Sequence, residues 1–145
     1  MKVVMFIGLQ AAGKSSFYFQ QFRDTHIRIN LDMLKTRHRE KILFEACLQA
    51  KQPVVIDNTN PTVEERKRYI IPARKHRFEI TGYYFDANLE SCLQRNQNRE
   101  KAIPPVGLYA TDKKLEIPSY VEGFDFLYSV SLSNNLFIVR EWNAV

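Results

Sequence analysis

Short apolar runs alternate with longer amphipathic stretches along the first two thirds of the chain. Residues 2–7 read as a strand, 14–23 as a helix and 26–30 as a second strand, followed by a helical pattern from about 33 to 50. The same alternation continues with a buried strand at 53–57 (Pro-Val-Val-Ile-Asp), a helix at 62–75, a strand at 79–85 and a helix at 88–98. This is the rhythm of an α/β domain. The last third is less regular: Ile103-Pro104-Pro105 breaks the pattern, 106–115 reads as a further short helix, and 118–130 returns irregularly to a strand near 128–132. Ser133-Asn134-Asn135 is a turn signal, so 136–140 is expected to pair as an antiparallel edge strand. No internal repeat or low-complexity linker interrupts this order.

A parallel sheet of this kind collects ligands outside the carboxyl ends of its strands, where loops and helix N-termini converge. After the first strand stands the octet Gly8-Leu9-Gln10-Ala11-Ala12-Gly13-Lys14-Ser15, a complete nucleotide phosphate loop. Its two glycines let the backbone curl so that N–H groups aim at a β-phosphate, and the positive end of the following helix adds to the attraction. Lys14 is placed to reach β- and γ-phosphates, and the Ser15 hydroxyl to bind Mg²⁺. A turn that binds nothing could also contain glycine, but all four fixed positions match in a strand–loop–helix context. Gly8, Gln10, Ala11, Ala12, Gly13, Lys14, Ser15 and Ser16 are therefore expected to hold ATP or GTP. The ends of the next two strands add Asn30 and Asp32, then Asp57, Asn58 and Asn60.

With 145 residues, 45% of them hydrophobic, the chain suits one domain with its own core, over 1–145, and not a disordered segment. No apolar stretch approaches a membrane span and no signal-peptide pattern precedes the motif, so the expected compartment is cytoplasmic, with no membrane partner. Cys47 and Cys92 each fall inside a helical pattern and read as small core residues. With three histidines (His26, His38, His76) and no paired cysteines, zinc is not expected. The net charge of +5 is unevenly spread: residues 1–101 carry 18 Lys/Arg against 11 Asp/Glu, and 102–145 carry 3 against 5. A basic face near the phosphate loop could guide a polyanion, and such a charge is equally common on solvated surfaces.

Three features could carry chemistry. Asp57 ends the run Val54-Val55-Ile56, which is how a carboxylate is placed to hold Mg²⁺ through water beside Ser15; its other use is hydrogen bonding within the turn Asp57-Asn58-Thr59-Asn60-Pro61. Asp32 lies just beyond the second strand, where a kinase needs a carboxylate to accept the proton of the attacking hydroxyl. It equally suits a helix cap, worth about 0.5–2 kcal/mol against Ala. Arg95 and Arg99, four residues apart, project from one helical face. They fit a phosphoryl-transfer lid, one contacting base or phosphate and the other neutralising the transferred group, and they fit a solvated polar helix as well.

Together these pieces resemble the 5′-hydroxyl polynucleotide kinase family, the kinase module of phage and animal end-healing enzymes. The resemblance runs over most of the chain. It is carried by Val54-Val55-Ile56-Asp57-Asn58-Thr59-Asn60-Pro61 with Glu64-Glu65-Arg66, by Asn30-Leu31-Asp32, and by Arg95-Asn96-Gln97-Asn98-Arg99. Ile103-Pro104, Tyr109, Pro118 and Glu122-Gly123-Phe124 extend it. The resemblance implies a P-loop kinase of the adenylate kinase type, a three-layer sandwich whose mostly parallel sheet has main strand order 2-3-1-4-5. It implies ATP and Mg²⁺ at Lys14 and Ser15, with Asp57 near the metal. Asp32 would be the general base, Arg99 would stabilise the transferred phosphoryl group, and Arg95 would contact the nucleotide. Lys35, Asn58 and Asn60 are the candidates for binding the nucleic-acid end, DNA or RNA. Two positions depart from the pattern: Leu31 where relatives often carry Arg, and Lys35 where a phosphate-contacting Arg is expected. Lys is a point charge without the bidentate geometry of Arg. Arg37 and Arg39 stand close by. Phosphatase and ligase modules are not in these 145 residues, so repair partners are expected on separate chains. Two other functions fit the same motifs: a small-molecule kinase acting on a nucleoside, sugar or antibiotic hydroxyl, and a binding module that holds ATP without transferring phosphate.

Overall fold

A computed structural model describes residues 1–142. The apolar run of β1 (Lys2–Ile7) has both faces covered, with Val3, Met5 and Ile7 turned to one layer and Val4 and Phe6 to the other. Parallel strands read as continuous apolar runs for this reason. β1 pairs in parallel with β3 (Val54–Ile56) on one side and β4 (Glu79–Phe85) on the other, at Val3 to Val54 and Val3 to Ile80. β2 (Ile27–Ile29) adds beyond β3 and β5 (Phe126–Ser133) beyond β4, both parallel, and β6 (Leu136–Glu141) runs antiparallel to β5 at the far edge. The order is 2-3-1-4-5-6, so the expected parallel order is met and the edge hairpin is present. Its turn residues Asn134 and Asn135 both have positive φ, 51° and 62°, which suits a tight hairpin.

On one face lie α3 (Arg37–Gln49) and α4 (Val63–Lys75), which supply Phe44, Cys47, Leu48, Tyr69, Ile70 and Ala73 to the core. On the other face lie α1 (Lys14–Gln21), α5 (Leu89–Gln97) and α6 (Pro105–Lys114), whose Phe17, Tyr18, Cys92 and Leu108 pack on Phe6 and Phe85. Both cysteines are free and buried. None of the described helices is long and apolar enough to cross a membrane.

The expected helix at 33–50 is two helices. α2 (Leu31–Leu34) starts earlier and stops at Lys35, whose φ of 75° breaks the helix, and Thr36 then caps α3 by accepting from the Arg39 N–H. Further along, Arg66 is completely buried beneath the 3₁₀ turn Tyr120–Glu122. Its guanidinium donates to Glu122 Oε1 at 2.8 Å and to the carbonyls of Glu116 and Asn60, tying α4 to the chain after α6.

Candidate active site

The phosphate loop is shaped by two close approaches. A Cβ on Gly8 would stand 2.9 Å from the Phe85 Cβ, and a Cβ on Gly13, whose φ is +99°, would stand 3.1 Å from the Phe137 ring. Only glycine fits both demands at Gly13. The loop after β3 braces the curve: the Gly8 N–H donates to the Thr59 carbonyl at 3.0 Å, and the buried Asn60 amide donates to the Phe6 carbonyl at 2.7 Å. Lys14 is folded back on the carbonyls of Gly8 and Leu9. Burial pulls its ammonium from the usual 10.5 down to about 8, with the Asp57 charge acting against that pull.

At the end of β3 the Asp57 carboxylate is 1% exposed. Its Oδ2 accepts from Ser15 Oγ at 3.1 Å and from Arg28 Nε at 2.8 Å, while Arg28 Nη2 donates to Ser15 Oγ at 2.8 Å. Two oxygen donors at the end of a strand beside a phosphate loop suit a small hard cation that keeps most of its waters. A side-chain cation already stands against them, so the donor set fits Mg²⁺.

Asn30 takes the capping role that was one of the two uses open to Asp32. Its Oδ1 accepts from the Met33 N–H, making Asn30 the cap of α2, and its amide donates to the Asp57 carbonyl at 2.7 Å. Asp32 is thereby released from capping. It is exposed, lines the cleft, and has no hydrogen bond or ion pair among the described residues. Asn58 fixes the start of the same helix, accepting from the Leu31 N–H at 2.8 Å. Its amide donates to Glu40 Oε2 at 2.9 Å and to the Tyr69 hydroxyl at 3.3 Å. Glu40, 1% exposed on α3, also accepts from Tyr69 at 2.8 Å and from Arg37 at 3.0 Å. Burial, and then the Glu40 charge, push the Tyr69 hydroxyl up to about 12.

A cleft of about 610 Å³ is lined by Asn30, Asp32, Arg37, Asp57 and Asn58 together with Arg95, Arg99 and Ile103. Arg95 Nη1 donates to the Ala11 carbonyl at 3.1 Å, joining α5 to the phosphate loop. The buried Asn96 closes the segment carrying Arg99, donating to the Ile103 carbonyl at 2.7 Å and accepting from its N–H at 3.1 Å. Gln10, Ala11, Gly13, Ser15 and Ser16 line the cleft, while Ala12 is buried beneath it. Lys35 is exposed at the end of α2 and does not line the cleft, whereas Arg37 does. Arg28, Glu40 and Tyr69 carried no signal as site residues, and neither did Leu132, Asn135 and Phe137, by which the β5–β6 hairpin joins the lining of the cleft.

Residues 3–107 match the family model described as an AAA domain. The chain belongs to that family. As an AAA domain of the P-loop kinase type, it is 30% identical over 130 residues to a bifunctional polynucleotide phosphatase/kinase of Schizosaccharomyces pombe. The match takes in 85% of this chain and 32% of that protein. It is 27% identical over 139 residues to a putative bifunctional polynucleotide phosphatase/kinase of Acanthamoeba polyphaga mimivirus, covering 90% of this chain and 33% of the other. The chain thus spans about a third of the length of these curated relatives. Among solved structures, a gluconokinase from Sinorhizobium meliloti superposes with a TM-score of 0.66 at 15% identity, over 90% of this chain and 82% of that one, a likeness of fold.

Proposed function

We propose that this AAA domain transfers the γ-phosphoryl group of ATP to the 5′-hydroxyl of a DNA or RNA end. The observation that carries the proposal is Asp32: a carboxylate relieved of capping by Asn30, lining the same cleft as Arg99, on a short helix whose start is fixed by Asn58. The acceptor oxygen attacks the γ-phosphorus, its proton passes to Asp32, and the bond to the β-phosphate breaks to release ADP. The backbone N–H groups of the phosphate loop and Lys14, once it turns from the Gly8 and Leu9 carbonyls, hold the phosphates. Ser15 and Asp57 would hold Mg²⁺, which screens the phosphate charge when bound. Arg99 closes over the transferred group and Arg95 keeps the nucleotide end of the cleft in register with the loop.

On the acceptor side, Arg37 reaches the cleft with its orientation set by Glu40 and Tyr69, and it is assigned the contact with a strand phosphate. Lys35 stands farther out along the path of the strand, and Asn58 and Asn60 act by holding the loop that shapes the site. The identity shared with the polynucleotide phosphatase/kinases supports this acceptor class, as does the basic excess of residues 1–101.

The test is transfer of labelled γ-phosphate to a 5′-hydroxyl oligonucleotide, with a 5′-phosphorylated strand and gluconate as parallel acceptors. The expected result is labelling of the 5′-hydroxyl strand alone, with a rate that falls steeply as salt rises. Labelling of gluconate or another small hydroxyl compound, with none of the strand, would assign the site to small-molecule phosphorylation. ATP binding without transfer to any hydroxyl would make it a nucleotide-binding switch.

A further inference from the structure

Arg28 is a charged side chain in contact with the site that the proposed chemistry does not use. It stands in the middle of the three-residue edge strand β2, with Ile29 turned into the core behind it. From there it crosses toward α1, where its guanidinium sits over the rings of Tyr18 and Phe19 at 5.8 and 5.5 Å. Its polar edge reaches the two oxygens assigned to the metal, Asp57 Oδ2 and Ser15 Oγ, each at 2.8 Å. The Arg28 side chain is 20% exposed and that of Asp57 2%. Without Arg28, a buried carboxylate would keep only the Ser15 hydroxyl against its Oδ2, a costly arrangement in a region of low dielectric.

We propose that Arg28 is a resident counter-ion of the metal site, displaced when a divalent cation enters with the nucleotide. This rests on the reading that Ser15 and Asp57 hold that cation. The guanidinium stabilises Asp57 and keeps Ser15 aimed at it in the nucleotide-free protein. A divalent cation on the same two oxygens and a guanidinium in hydrogen-bond contact with them are like charges within a few ångströms, so the two exclude one another. The displaced side chain has a ready resting place. Phe19 is 52% exposed and packs edge-on to Tyr18 at 5.4 Å, so an arginine swinging outward keeps an aromatic face beneath it. This gives the exposed ring a use that packing does not provide. The consequence is selectivity in time: free Mg²⁺ does not take the site, and the nucleotide phosphates supply the additional oxygens needed to displace Arg28.

The experiment measures ADP affinity by calorimetry over a range of Mg²⁺ concentrations, and thermal stabilisation by Mg²⁺ alone. Wild type, Arg28→Gln and Phe19→Ala are compared. If Arg28 occupies the site about nine-tenths of the time, its removal lowers the Mg²⁺ concentration that half-maximally tightens ADP by about tenfold. Arg28→Gln also gains a thermal shift with Mg²⁺ alone that wild type lacks. Phe19→Ala, which leaves every polar contact of the site intact, removes a ring that underlies the guanidinium both before and after displacement, and so shifts the Mg²⁺ requirement much less than Arg28→Gln does. An unchanged Mg²⁺ dependence in Arg28→Gln overturns the proposal while the metal assignment stands. ADP binding indifferent to Mg²⁺ in all three proteins overturns both. No acceptor is present, so neither outcome depends on the polynucleotide reading.

Discussion

Glu40→Gln tests how the site holds Asp32. The buried Glu40 carboxylate accepts three hydrogen bonds, from Tyr69 at 2.8 Å, Arg37 at 3.0 Å and Asn58 at 2.9 Å. Glutamine keeps one oxygen, enough for Tyr69 and Arg37, but turns an amide donor toward the Asn58 amide. If Asn58 flips to accept it, its nitrogen faces the Leu31 N–H, and the first turn of α2 loses its anchor. Converting hydrogen bonds to a charged acceptor into neutral ones, with one buried donor left facing a donor, costs roughly 2–4 kcal/mol. For a chain of this size that is a fall in Tm of roughly 5–15 °C. Because the misplaced element carries Asp32, kcat for phosphoryl transfer falls by about 10- to 100-fold while ADP affinity is unchanged. Urea unfolding, single-turnover transfer and ADP calorimetry on the same preparation read all three quantities. A stability loss under about 0.5 kcal/mol, the usual range for surface substitutions, would refute the reasoning. So would a loss of ADP affinity that accounts for the whole loss of rate.

The remaining predictions concern other parts of the same framework. Glu122→Gln leaves the fully buried Arg66 guanidinium without its carboxylate and costs about 3–5 kcal/mol in chemical denaturation, part of which Arg66→Met in the same chain recovers. Tyr69 is held neutral in the fold up to about pH 12 but ionises near 10 in the unfolded chain, so the unfolded state loses its proton first and stability falls between those values. Tyr69→Phe removes that component of alkaline unfolding, measured by circular dichroism between pH 9 and 12. Asn96→Ala frees the segment carrying Arg99 and leaves the Ile103 backbone groups unpaired, costing about 1–3 kcal/mol and lowering kcat more than ADP affinity in parallel transfer and binding assays.

What could be read from the sequence was local. The apolar runs, the phosphate loop and the Asn134-Asn135 turn are each specified within a few residues, and alternation of strand and helix then leaves few ways to order a parallel sheet. The break at Lys35 was missed because helical periodicity runs through it, and only a positive φ at a residue with no special preference for one reveals it. Asn30 and Asp32 are both good caps by residue type, and the geometry at the end of β2 selects Asn30. Glu40 meets Asn58 and Tyr69 across 18 and 29 positions, so Glu40 and Tyr69 each read alone as an ordinary polar residue of a helix, and Asn58, expected at the acceptor, is instead held by hydrogen bonds to Leu31, Glu40 and Tyr69. Arg28, a single charge on a short strand, carries no signal of its own in the sequence. Its role depends on β2 lying beside β3, which brings it to Asp57 and Ser15.

Asp32 is the proposed base for a 5′-hydroxyl acceptor. The most direct measurement compares wild type and Asp32→Asn in transfer of labelled γ-phosphate from ATP to a 5′-hydroxyl oligonucleotide, with ADP affinity determined on both. The expected result is a loss of transfer of at least about 100-fold with ADP affinity unchanged. Transfer by the variant at the wild-type rate would contradict it, as would a wild-type protein that hydrolyses ATP and labels neither DNA nor RNA.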